Sequence, residues 1–149
     1  MEKWGDKPYH SLDYENKKRF GEKVYKISLA GGTTCPNRDG TLGTRGCCFC
    51  SGSGSGDFAA TKGSITEQIE EAIARVSRYK NAGHHFTAYF QSFTATYAPV
   101  ETLRAAWEEA MTHESVVTLA IATRPDCLGD NVLSLLADCC RKMPVTVEL

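Results

Sequence analysis

Short apolar runs alternate with longer stretches of helical periodicity, and this alternation constrains the chain more than any other feature. "KVYKISLA" (Lys23 to Ala30), "HFTAYFQ" (His85 to Gln91), "VVTLAIA" (Val116 to Ala122) and "PVTVEL" (Pro144 to Leu149) read as strands. The near-continuous apolar character of the third predicts a strand buried on both faces. Between them lie three helical patterns. "SITEQIEEAIARVSRYK" opens with Ser64 and Glu67 at capping-box spacing and repeats Ile65, Ile69, Ile73 and Val76. "PVETLRAAWEEAMTH" carries the stripe Val100, Leu103, Trp107 and Met111 behind Pro99, and "DNVLSLLADCCRK" forms the third. A β-α-β-α-β-α-β order argues for an α/β fold with a parallel sheet and right-handed crossovers.

A closed eight-stranded barrel takes about 250 residues. The chain has 149 and stops at Leu149, inside its fourth strand. The expectation is therefore that residues 1–149 are the N-terminal portion of one larger domain, ending on a strand edge of the kind proteins usually cover. A net charge of -1 excludes a global basic field for nucleic acid. The local cluster Lys17, Lys18, Arg19, Lys23 and Lys26 reads as solvated surface. No apolar stretch reaches the roughly 18–20 residues of a membrane span, and "MEKWGDKPYH" lacks a signal-peptide core. The expected location is the cytoplasm, with no membrane partner, where clustered cysteines are metal ligands or reactive thiols rather than disulfides.

Four of the seven cysteines lie between Gly31 and Cys50, in a loop at the carboxyl end of the first strand. Active sites of parallel sheets gather at that end. Cys35, Cys47 and Cys50 have the spacing C-x11-C-x2-C, and Cys48 is an extra thiol pointing elsewhere. Gly40, Gly43 and Gly46 give the long first spacing freedom to close. Two metal readings stand open. A structural zinc needs a fourth ligand from Cys48, His10, His84 or Cys127, and no second paired motif supplies it. A [4Fe–4S] cluster on three cysteines leaves one iron open, which suits three thiols without a fourth partner. "SGSGSGDF" (Ser51 to Phe58) has linker composition and reads as a mobile cover of the site.

"CPNRDGTLGTRGCCFC", "GSGDFA", "AYFQSFTATYAPVETL", "TRPDCL" and the terminal "VEL" together resemble the radical S-adenosylmethionine (SAM) proteins of the YhcC/YtqA type, relatives of the catalytic subunit of Elongator. The resemblance runs from about Tyr9 to the end. It implies a partial, TIM-like (β/α)6 barrel, of which about four β/α units are present here. It implies a [4Fe–4S] cluster on Cys35, Cys47 and Cys50, with SAM on the open iron. Phe49 would pack beside the adenine, Gln91 and Ser92 would meet the methionine amino group, Arg124 its carboxylate, and Glu148 would begin a motif near the ribose. One electron from a carrier such as flavodoxin or ferredoxin would cleave SAM, and the resulting radical would take hydrogen from a substrate. Kinship with Elongator implies a tRNA wobble uridine; the alternative class is a zinc-stabilised binding module without catalysis. Read without the resemblance, Gln91 and Ser92 end a strand, Arg124 is a loop ion-pair partner, and Glu148 is a solvated carboxylate. Cys127, Cys139 and Cys140 read as small core residues. His84 and His85 are surface or satisfied groups, and Tyr89, Phe90 and Phe93 are packing.

Overall fold

The computed structural model describes residues 3–149 as an α/β structure with one four-stranded parallel sheet in the order β1-β2-β3-β4. The strands are β1 (Tyr25–Leu29), β2 (Phe86–Phe90), β3 (Val116–Ala122) and β4 (Val145–Glu148), and the helices are α1 (Leu12–Phe20), α2 (Ile65–Tyr79), α3 (Val100–Thr112) and α4 (Asp130–Lys142). The capping box at Ser64 and Glu67 forms in both directions and starts α2. Pro99 is the N-cap residue of α3 rather than part of its first turn. α1 carries no apolar stripe that would announce it. Local chemistry makes it: the Ser11 hydroxyl accepts from the Tyr14 N–H at 3.2 Å, and Gly21 closes the helix at φ +78°.

Alternation along the strands sorts the sheet into two unlike faces. Ile27 and Leu29, Phe86, Ala88 and Phe90, and Leu119 and Ile121 share one core with Ile65 and Ile69 of α2, Leu103 and Trp107 of α3, and Leu135 of α4. α2 packs on β1, α3 on β3 and α4 on β4, while α2 touches α3 and α3 touches α4, so these three helices form one layer on one face. The sheet is not closed, and β1 and β4 are its edges.

The other face is polar. The pairing register sets Lys26 beside Thr87, Thr87 beside Thr118, Tyr89 beside Ala120 and Ala122 beside Glu148. Thr118 Oγ1 donates to Thr87 Oγ1 at 2.7 Å, the Tyr89 hydroxyl donates to Glu148 Oε2 at 2.7 Å, and Lys26 pairs with the other Glu148 oxygen from the far edge strand. The Lys26 ammonium also lies 4.2 Å from the Tyr89 ring centroid. α1 lies against this face and encloses with it a cavity of about 170 Å³, lined by Leu12, Asn16 and Phe20 on one side and Lys26, Thr118 and Glu148 on the other. One sequence expectation changes here. β3 is buried on its helix face, and Ala120 is buried on the other face too, but Thr118 and Ala122 there are only partly covered, because α1 is the one helix against that face among the described residues. The basic cluster near the N-terminus is solvated surface as expected: Lys17, Lys18, Arg19, Lys23 and Lys26 are all exposed, Lys17 pairing with Asp13 at 2.9 Å and Lys23 standing over the Tyr25 ring. Cys139 is buried in the core, but Cys140, the next residue round α4, is exposed.

Burial, followed by the hydrogen bond to Glu148, pushes the Tyr89 hydroxyl up to about 12. An unfolded tyrosine ionises near 10, so the raised value stabilises the fold below about pH 10 and the benefit is lost as pH rises toward 12. Tyr89→Phe is expected to cost about 1–2 kcal/mol at pH 7. In urea unfolding measured across pH 7 to 11.5, that difference should shrink only above about pH 10; a difference independent of pH would refute the assignment.

Candidate metal and cofactor site

Backbone hydrogen bonds continue past the strand ends and lace the loops together. The Thr94 N–H donates to the Thr34 carbonyl at 3.1 Å, Ala95 to Ala122 at 3.0 Å, and Thr123 to Glu148 at 2.9 Å. The loop after β1 is anchored from behind by Gln68. This buried amide of α2 accepts from the Ala30 N–H at 2.9 Å and donates to the Ala30 carbonyl at 3.3 Å. After this anchor the chain turns at Cys35, whose carbonyl accepts from Arg38 and Asp39 N–H groups at 2.8 and 3.1 Å. Gly46, at φ +76°, donates to the Asn37 carbonyl at 2.9 Å and closes the excursion. The spacing between Cys35 and Cys47 is thus a compact double turn that brings the C-x2-C end back to Cys35.

Cys35, Cys47 and Cys50 all line one cavity of about 450 Å³ at the carboxyl end of the sheet. Cys35 is buried, Cys47 and Cys50 are half-buried, and Cys48 is exposed and off the lining. Gln91, from the loop after β2, and Arg124, from the loop after β3, line the same cavity, with Phe49 at its mouth, 81% exposed. Ser92 and Glu148 do not. Ser92 is buried, its carbonyl accepting from the Thr33 hydroxyl at 3.1 Å and its hydroxyl without a partner. The Glu148 carboxylate is engaged by Lys26 and Tyr89 on the polar sheet face, and its neighbour Leu149 reaches the cavity instead. Burial works to raise the Glu148 carboxyl, but hydrogen bonds from Lys26 and Tyr89 outweigh it and hold it below the usual range. Among the described residues no three His, Cys, Asp or Glu side chains stand where they could share one metal ion. A wider, shallower groove of about 720 Å³ between the starts of α2 and α3 has Glu101 and Glu109 as its acidic groups and holds no thiol.

Two guanidinium groups stand at the thiol cavity. Arg124 Nε and Nη2 fork onto Asp126 at 2.9 and 2.7 Å, which raises the guanidinium pKa further and lowers that of the carboxyl. The ion pair read from the sequence is therefore present, at a position that also faces the cavity. Arg38, which the sequence did not single out, donates to the carbonyls of Ser51 and Gly52 and lies 5.7 Å from the Phe93 ring centroid. Both cations favour an anionic occupant.

The Ser/Gly stretch, expected as a cover of the site, does reach this cavity, which Gly54 and Ser55 line. Gly54 and Gly56 are buried. The Phe93 N–H donates to the Gly54 carbonyl at 2.8 Å, and a Cβ on Gly54 would overlap the Phe93 ring. A Cβ on Gly56 would overlap the Ser92 side chain, whereas Gly52 faces open space. Gly54→Ala and Gly56→Ala are each expected to cost about 1–3 kcal/mol in urea unfolding through overpacking. Gly52→Ala should change little, and equal effects at all three positions would mean that the stretch does not pack.

The sequence has relatives among known proteins. YtqA of Bacillus subtilis is 44% identical over 150 residues, covering 97% of this chain and 45% of its own length. YhcC of Escherichia coli K12 is 43% identical over 121 residues, 81% of this chain and 38% of its own. MJ0486 of Methanocaldococcus jannaschii is 34% identical over 125 residues, 82% of this chain and 37% of its own. YtqA and MJ0486 carry the description "uncharacterized protein". No family model and no solved structure matches the chain. The chain spans less than half the length of these relatives, and it is a homologue of YtqA along 97% of its own length and of YhcC along 81%.

Proposed function

We propose that the chain carries the cluster-binding and SAM-binding part of a radical SAM enzyme. One observation carries the reading: three cysteines at C-x11-C-x2-C spacing line a single cavity at the carboxyl end of a parallel sheet, together with Gln91 and Arg124 from the next two strand-end loops. The donor set fits a cluster. A cluster spreads its thiolates over several irons, so the sulfurs need to share a cavity, not a single point, whereas a structural zinc draws four ligands to one ion. Arg38 and Arg124 offset the negative charge such a group brings. The open parallel sheet, with α2, α3 and α4 in one layer on it, is consistent with the barrel architecture that the resemblance implies.

In this reading Cys35, Cys47 and Cys50 hold a [4Fe–4S] cluster and leave one iron for SAM. Gln91 and Arg124 orient the methionine end of SAM, and Arg124 exchanges Asp126 for the SAM carboxylate or shares its fork between the two. Phe49 covers the adenine at the mouth. Ser92 shapes the wall from behind. Glu148, engaged by Tyr89 and Lys26 on the polar sheet face, takes no part in holding SAM in this reading. When bound, cluster and SAM supply one-electron reductive cleavage and hydrogen-atom abstraction, fed by a carrier of the flavodoxin or ferredoxin class. The resemblance to Elongator directs the substrate proposal to a wobble uridine of tRNA.

Anaerobic reconstitution with iron and sulfide tests this. Wild type is expected to turn brown, with iron and sulfide at cluster stoichiometry. Cys35→Ala, Cys47→Ala or Cys50→Ala should abolish that absorbance, and Cys48→Ala should retain most of it. Dithionite and SAM should then yield 5′-deoxyadenosine from the loaded chain or from the longer YtqA, and unmodified tRNA should increase the yield. Zinc in place of iron, or a loaded YtqA that leaves SAM intact, refutes the reaction class. Cleavage indifferent to tRNA refutes only the substrate.

A further inference from the structure

We infer that Asn37 and Ser55 are positioning residues that raise the reduction potential of the cluster on Cys35, Cys47 and Cys50, an inference that rests on the function proposed above. Two of the three thiols have a side-chain donor. Asn37 Nδ2 donates to Cys47 Sγ at 3.1 Å, and the Ser55 hydroxyl donates to Cys50 Sγ at 3.7 Å. Cys35 has none among the described residues, although it is the most buried of the three.

Neither donor is an accident of loop closure. Asn37 closes the turn with its main chain, through its carbonyl to Gly46, so its amide is free to be spent on sulfur. Ser55 sits at φ +64°, a left-handed conformation that glycine adopts freely and serine adopts at a cost. Its two neighbours are glycines, Gly54 at φ +62° and Gly56. The Ser55 N–H donates to the Ser51 hydroxyl at 3.2 Å, a bond glycine would make equally well. What glycine would lack is the hydroxyl, and that hydroxyl faces Cys50 in the cavity. A cluster that gains an electron concentrates more negative charge on its sulfurs. Donors aimed at the ligating sulfurs therefore stabilise the reduced form more than the oxidised one, and the potential rises.

Potentiometric titration of the reconstituted full chain, followed by electron paramagnetic resonance, tests the inference. The variants are Asn37→Leu, which keeps the shape without a donor, and Ser55→Ala, Ser55→Gly and Ser55→Thr. The donorless variants are expected to load iron and sulfide like wild type. Their equilibrium constant for reduction should fall about tenfold, which is about 59 mV for a one-electron couple. Ser55→Ala and Ser55→Gly should agree, although only the second relieves the backbone, and Ser55→Thr should stay near wild type. Should Asn37→Leu fail to load, the Ser55 pair decides. Unchanged midpoints in loaded variants, or a threonine variant shifted as far as alanine, overturn the inference and leave the cluster in place. A wild-type chain that takes up no iron and sulfide overturns the proposed function and this inference with it.

Discussion

The thiol cavity depends on hydrogen bonding that does not stop where the strands stop. A parallel sheet ends in a row of loops with unpaired backbone groups, and each buried one costs free energy unless it finds a partner. Here the loops supply partners to one another, Thr94 to Thr34, Ala95 to Ala122 and Thr123 to Glu148. The four strand ends therefore behave as one rim. Gln68 ties this rim to the helical layer by two hydrogen bonds between its buried amide and the Ala30 backbone. Residues far apart in sequence, Cys35, Gln91 and Arg124, share a cavity because their backbones belong to that rim.

The ligand loop is built on the rim in two unlike pieces. The piece from Cys35 to Gly46 is a set of tight turns, with a left-handed glycine at its closure. The piece from Ser51 to Gly56 is thin because it must be: a side chain on Gly54 or Gly56 would strike Phe93 or Ser92. Arg38 joins the two pieces by binding the carbonyls of Ser51 and Gly52. One long cation thus does structural work for the wall while lending its charge to the cavity.

Much of this was legible in the sequence, for definite physical reasons. Strong periodicity with a capping box gave α2 its limits, and "DNVLSLLADCCRK" coincides with α4. The cysteine spacing pointed to one shared site because two thiols with two residues between them, Cys47 and Cys50, can reach one target. α1 was missed because its stability comes from Ser11, Gly21 and contact with the sheet rather than from an apolar stripe. The Ser/Gly stretch was placed at the site, but its close packing on Phe93 and Ser92 was not legible, because composition reports what a glycine can do, not what packs against it. Glu148 stood in a recognisable motif, but its partners Lys26 and Tyr89 lie 122 and 59 residues away, a pairing no local pattern reveals.

The two faces of the sheet are subject to different rules of inheritance. On the helix face, Ile27, Phe86, Leu119 and their neighbours answer to volume, and a change at one position can be absorbed by any of several others. On the polar face each group answers to a named partner: Thr87 to Thr118, and Lys26 and Tyr89 to Glu148. A lineage that loses one member of such a set retains an uncompensated charge or hydroxyl until a second change repairs it. Across homologues the helix face should therefore drift one residue at a time, while the polar face is rewritten in linked pairs and triplets, so that a history of joint substitution marks the interior of this sheet.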